Sequence, residues 1–177
     1  SSAASDVYKR QMVRVYAAYE EACERGGLVD FAELLLRAHE LWLKSPSTLA
    51  HYQARFKTIL VDEFQDTNTI QYAWLRVLAG QTIPVVAVGD DDQSIYGWRG
   101  AKVENIQRFS EDFAGTVTVR LEQNYRSTET ILEAANGLIS RNAGRLGKNL
   151  WTEGERGDPI TLYAGFNEQD EARYIVE

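Results

Sequence analysis

Two short acidic clusters, Asp62-Glu63 and Asp90-Asp91-Asp92, are placed where carboxylates can do chemistry, because each follows a short apolar run, Thr58-Ile59-Leu60-Val61 and Val85-Val86-Ala87-Val88. In open α/β sheets ligands bind beyond the carboxyl ends of the strands, and both runs deliver their acids there. Adjacent carboxylates at a strand end can divide labour: one holds Mg2+, directly or through water, while the other takes a proton from an attacking water. The plainer alternative is that strand-end acids cap the helix that follows. A third segment, Ser94-Ile95-Tyr96-Gly97-Trp98-Arg99-Gly100, puts two large aromatics and an arginine between glycines, where little secondary structure can bury them. Exposed aromatics are stacking platforms for unpaired bases, and arginine adds backbone or cation–π contacts. Against that stands the reading of Trp98 as a core residue under a loop.

The elements that position these groups follow from periodicity. From Tyr8 to about Arg25, Met12, Val15, Tyr16, Tyr19 and Cys23 have helical spacing, stopped by Gly26-Gly27. Asp30, with Glu33 three residues on, predicts a capped second helix with an apolar face of Leu34, Leu35, Ala38 and Leu41, ended by Ser45-Pro46. A third short helix runs from Ser47 to about Arg55. The two apolar runs, with β-branched residues and without alternation, read as buried parallel strands, and Thr69 to Ala79 between them as a helix stopped by Gly80. The order strand, helix, strand is that of a βαβ unit. Further on, residues 101 to 109 read as helix, Val117 to Leu121 as a third strand, Thr128 to about Arg141 as helix, Ile160 to Tyr163 as a final strand, and the terminal EQDEARYIVE as the start of a helix. Residues 1 to 7, Ser/Ala-rich and without apolar period, read as a tail, open to being foreign sequence.

Composition narrows the class. Hydrophobic residues make up 44% and charged ones 25%, as in a packed soluble chain. The single cysteine, Cys23, cannot form an internal disulfide, and no run approaches the roughly 18 apolar residues that span a membrane. A cytoplasmic location is the expectation. The net charge of −7 argues against nucleic acid on its face. Many of the acids, however, are gathered in the two clusters, so a locally basic groove on an acidic protein stays compatible. His39 and His51 lack acidic or cysteine partners at metal spacing and read as ordinary helix residues. Trp42, Tyr72 and Trp74 fall in helical patterns and read as core.

The longer strings carry a resemblance. An apolar strand running into Asp-Glu is similar to the Walker B element of helicases, and VDEFQDTN is the form found in the UvrD/Rep/PcrA family. VGDDDQSIYGWRGA resembles that family's third motif and LEQNYRS its fourth, in family order; the resemblance extends from about Tyr8 to Glu177. It implies a RecA-like P-loop NTPase motor domain, an α/β fold with a parallel sheet incomplete here, and a helical accessory subdomain. Residues 8–55 would belong to the accessory subdomain, 56–121 to the second half of the first motor domain, and 122–177 to the start of the second. It implies ATP and Mg2+ as cofactors, with Asp62 holding the metal and Glu63 activating water. Gln93 would sense the γ-phosphate, Gln65 would link the nucleotide site to the rest of the domain, Tyr125 would stack on the base, and Arg126 would reach the γ-phosphate from the second motor domain. Trp98 matches the base-stacking tryptophan, with Tyr96 and Arg99 lining the same path. The whole protein would be an ATP-dependent 3′ to 5′ DNA helicase of repair or replication, acting on single-stranded DNA and single/double-strand junctions, with repair proteins as further partners and no membrane.

One departure matters. The sequence contains no G-x-x-x-x-G-K-[ST]; Gly144-Arg145-Leu146-Gly147-Lys148-Asn149 has the wrong glycine spacing and an asparagine after the lysine. The expectation is therefore a central segment of a longer helicase, inactive by itself. Two other readings stay open: a self-sufficient Mg2+ nuclease or phosphohydrolase site, and a non-catalytic module that binds single strands or a repair partner.

Overall fold

The computed structural model describes residues 2–177, with side chains described from residue 7. The chain falls into two compact units, Ser1–Ile106 and Gln107–Glu177.

The first unit opens with three helices. α1 (Ser2–Gly26) begins six residues ahead of the predicted Tyr8, because helical backbone needs only tolerable propensity, whereas the periodic signal reports an apolar face. That face, including Tyr8, Met12, Val15 and Tyr16, is exposed. α2 (Phe31–Lys44) is capped as expected by Asp30, whose carboxylate accepts the Glu33 backbone N–H at 2.8 Å; Glu33 does not reciprocate but pairs with Arg37. The predicted apolar face is shifted by part of a turn: Leu34 and Leu41 are half exposed, while Leu35, Ala38, His39 and Trp42 turn inward at helical spacing. The indole of Trp42 decides this, since it stacks on Trp74 with ring centroids 4.5 Å apart. α3 (Pro46–Arg55) starts with proline, whose missing N–H costs nothing in a first turn.

β1 (Ile59–Val61) and β2 (Val85–Ala87) pair in parallel, Ile59 with Val85 and Val61 with Ala87. α4 (Thr69–Ala79) forms the crossover, bounded as predicted and closed by Gly80 at φ 55°. A reciprocal capping box starts it: Asn68 Oδ1 accepts the Gln71 N–H at 2.9 Å, and the Asn68 N–H donates to Gln71 Oε1 at 2.8 Å. Its inner face of Tyr72, Leu75, Leu78 and Ala79 is buried, and α2 and α3 both pack on it. The strands are not buried on both faces as expected. Leu60 and Val86 point outward, 76% and 48% exposed, so only the Ile59/Val61 and Val85/Ala87 side is half covered. α5 (Glu104–Asp112) follows, a few residues later than read from the sequence, and the division between units falls inside it.

In the second unit the helices form and the strands do not. α6 (Glu129–Ile139) follows Thr128, and α7 (Glu168–Val176) is capped by Asn167. The expected strands at 117–121 and 160–163 are absent. Alternation supplies a face, but a strand also needs a partner's N–H and C=O row; among the described residues nothing pairs with them, and Val117, Val119, Leu121 and Leu162 are exposed. The one bridge is parallel, Gln123 with Trp151. Backbone of the 150–157 loop takes over the capping of α6: the Glu129 and Thr130 N–H groups donate to the Glu155 and Arg156 carbonyls. The approach requires Gly157, at φ 77°, because a Cβ there would lie 2.6 Å from the Thr128 side chain.

Candidate functional site

β1 ends in Asp62, and the chain then turns sharply. Glu63 has φ 49° and ψ 44°, the one non-glycine residue with positive φ among those described. For an L-residue this conformation costs about 1–2 kcal/mol, so the surroundings must hold it. They do: the Val88 N–H donates to the Val61 carbonyl at 2.8 Å, the Phe64 N–H to the Val88 carbonyl at 2.9 Å, and the Asp66 N–H to the Glu63 carbonyl at 2.9 Å. The turn after β1 is thereby laced to the end of β2. Both carboxylates at the turn are exposed, and Asp62 keeps one oxygen on the Glu63 N–H at 2.9 Å.

Between the two strand ends lies Gln65, 2% exposed. Its Nε2 donates to Glu63 Oε2 at 2.6 Å, and its Oε1 accepts the Asp90 N–H at 2.9 Å. Asp90 in turn caps the following 3-10 turn by accepting the Asp92 N–H, and its other oxygen accepts from Gln93 Nε2 at 2.6 Å. Glu63, Gln65, Asp90 and Gln93 thus form one hydrogen-bonded chain. The carboxylates of Asp90, Asp91 and Asp92 lie close enough to share a cation, yet Asp90 at least is engaged in capping, as the plainer reading of strand-end acids expects.

A second set of bonds anchors the aromatic loop. The Thr67 carbonyl accepts from the Lys102 N–H at 2.9 Å and from Asn105 Nδ2 at 3.0 Å, and Asn68 bridges to Ala101. Within residues 94–100, Ser94 and Tyr96 are half-buried, while Ile95, Trp98 and Arg99 are exposed. Trp98 is 78% exposed, so it does not lie under the loop as a core residue. The Arg99 guanidinium stands 5.1 Å from the Trp98 ring centre and 5.2 Å from that of Tyr96, while the two rings are 6.4 Å apart. Three planar groups carrying one positive charge suit a nucleobase with its phosphate.

Tyr125 and Arg126 belong to the second unit. Asn124 Oδ1 accepts the N–H groups of Arg126 and Ser127 at 2.9 and 2.8 Å, an Asx turn that leads into α6. Tyr125 is 86% exposed, its hydroxyl donating to Gln123 Oε1 at 2.7 Å, and Arg126 is exposed without a salt bridge to any described residue.

Gly89, Thr67 and Asn105 also shape the site, although nothing in the sequence assigns them a role. A glycine directly before a strand-end acid is a readable hint of close backbone approach; the buried Asn105 gives no signal in sequence. A cavity of about 830 Å3 also reaches Asp62 and Glu63, but its lining is mostly apolar, including Leu35, Trp42, Phe56, Trp74 and Leu78, which does not suit a triphosphate. Among the described residues no helix is long and apolar enough to cross a membrane, and His39 and His51 join no cluster of metal-ligand type.

The family model described as the UvrD/REP helicase N-terminal domain matches residues 1–114, and the one described as the UvrD-like helicase C-terminal domain matches residues 119–177. The chain belongs to the UvrD/REP helicase family. Among curated UvrD/REP relatives it is 71% identical over 163 residues to DNA helicase II of Escherichia coli, covering 92% of the chain and 23% of that protein. It is 60% identical over 172 residues to DNA helicase II of Haemophilus influenzae, covering 97% and 24%. It is 45% identical over 176 residues to the ATP-dependent DNA helicase PcrA of Leuconostoc citreum, covering 99% and 24%. The chain therefore spans about a quarter of the length of these relatives.

Proposed function

We propose that this chain is the segment of an ATP-dependent DNA helicase that supplies part of its nucleotide site and part of its single-strand path, on RecA-like motor domains. In this assignment residues 8–55 are accessory helices, 56–121 the second half of the first motor domain and 122–177 the start of the second. The observation that carries it is the hydrogen-bonded chain from Glu63 through Gln65 and Asp90 to Gln93, three residues ahead of the half-buried Tyr96 and the exposed Trp98 and Arg99 that gather around it. Chemistry sensed at Gln93 and strand contact at Trp98 then share one short stretch of backbone.

The donor set fits MgATP. Asp62 offers an exposed carboxylate oxygen, the hard ligand Mg2+ prefers, and the metal when bound would neutralise charge on the phosphates. Glu63, an exposed carboxylate held at a fixed turn, takes the proton of the attacking water. Gln93 has an amide able to leave Asp90 for a phosphate oxygen. The roles that LEQNYRS implies are stacking on the base for Tyr125 and neutralising the phosphoryl group for Arg126. The exposure of both side chains supports this. Unwinding from 3′ to 5′, junction binding and work with repair proteins are taken from the family alone, and a cytoplasmic setting from the single cysteine and the lack of a long apolar run.

A second reading holds for the chain by itself: a single-strand-binding piece without turnover, favoured by the exposure of Trp98 in a sequence without a phosphate-cradling loop. ATP hydrolysis by these 177 residues, with and without single-stranded DNA, tests the division of labour. Background turnover with salt-sensitive DNA binding is expected; DNA-stimulated hydrolysis would mean that other residues hold the phosphates.

A further inference from the structure

We infer that Gln65 is the positioning residue for the Glu63 carboxylate, and that glycine at 89 is the condition for its doing so; the inference rests on the reading of Glu63 as the base. Gln65 is too deeply buried to touch a nucleotide. A buried amide must have its hydrogen bonds made inside the protein, and both ends of this one are engaged. The orientation is not ambiguous. The Asp90 backbone N–H can only donate, so the atom facing it is Oε1, which aims the NH2 at the Glu63 carboxylate. At 2.6 Å the resulting bond is short and charge-assisted.

The Glu63 side chain is otherwise exposed and free to change rotamer. The Gln65 amide ties it to the backbone that carries Asp90 and Gln93, so the two groups proposed to act on water and phosphate keep a fixed relation across the sheet. Gly89 makes this geometry available. A Cβ there would stand 2.9 Å from Gln65 Oε1 and 3.2 Å from the Phe64 backbone nitrogen, so any side chain pushes the amide or the turn away.

The test uses the full-length helicase that contains this chain, with turnover, KM and the Kd of a fluorescent ATP analogue measured for Gln65→Met, of similar length but unable to make either bond, alone and on a Glu63→Gln background. A residue acting through Glu63 should lower kcat about 10-fold or more with KM and Kd within about 2-fold, and lower it less than about 2-fold further once Glu63 is changed. Gly89→Ala, which keeps the amide but displaces it, should reproduce this background dependence, and it decides the matter if Gln65→Met does not fold. Equal losses on both backgrounds, altered Kd with kcat intact, or wild-type kcat in Gly89→Ala would each overturn the inference. Full turnover in Glu63→Gln alone is a separate result: it would remove the base assignment itself, and the positioning role with it.

Discussion

The side-chain amide of Gln93 donates to the carboxylate of Asp90 at 2.6 Å, so the group proposed to read the γ-phosphate is held by an acid. A phosphate oxygen must compete with that carboxylate. Removing the amide should therefore remove response to phosphate without unfolding the turn, which Asp90 caps through the Asp92 N–H. In the full-length helicase Gln93→Ala should lower ATP turnover by about 100-fold, the order seen when one positioned donor is deleted. Unchanged turnover would assign Gln93 to the surface.

The exposure of Trp98 separates binding from stability. Trp98→Ala should weaken binding of a single-stranded oligonucleotide by about 1–3 kcal/mol in fluorescence anisotropy, the usual worth of one stacked base. Because the indole is 78% exposed, the thermal midpoint should barely move. A large loss of stability with normal DNA affinity would return Trp98 to the core.

Asn105 predicts the opposite pattern. It is 4% exposed and donates to both the Thr67 carbonyl and the Thr67 hydroxyl, at 3.0 and 3.1 Å. Asn105→Ala should cost about 1–3 kcal/mol in chemical denaturation, the range for deleting a buried partner. No loss would mean that the bond from the Lys102 N–H to Thr67 suffices.

Acid should act on α2. The Asp30 carboxyl is held below its ordinary range by the Glu33 backbone N–H and then by the Tyr19 hydroxyl, and Glu40 is lowered chiefly by Lys44. A folded-state pKa below the unfolded one gives stabilisation that is complete above about pH 4 and is lost as pH falls through the folded value. The Tyr19 hydroxyl, raised because it donates to Asp30, has the opposite sign: its contribution is whole below about pH 10 and is lost at higher pH. Far-UV circular dichroism should show helix lost below about pH 4 in the native chain, with a shallower acid limb in Asp30→Asn, which keeps the cap without titrating. Identical limbs would remove Asp30 from the account.

Local signals and the parallel β1–β2 pair of the βαβ unit are legible in the sequence, whereas which strand faces are covered and which later runs find a partner are not. Thr69 to Ala79 could be read to the residue, because a glycine stop and an apolar face report one backbone segment. The strand predicted at 117–121 failed because alternation says nothing about whether a partner row is present. Leu60 and Val86 were read as buried for the same reason, since an unbroken apolar run does not reveal which face is covered. At the candidate site, motif and chemistry in the sequence are enough to propose Asp62, Glu63, Gln93, Trp98 and Arg126. For Gln65 the resemblance gives a linking part but not its partners, because one of them is the Asp90 N–H, 25 residues away in sequence and adjacent only once β1 and β2 pair.

The most direct test of the central claim is the Glu63→Gln substitution in the full-length helicase, with ATP turnover and duplex unwinding measured beside nucleotide and single-strand binding. Turnover and unwinding should fall together by about 100-fold or more, the scale of a lost general base, while both binding affinities are kept. Unwinding at the normal rate would contradict it.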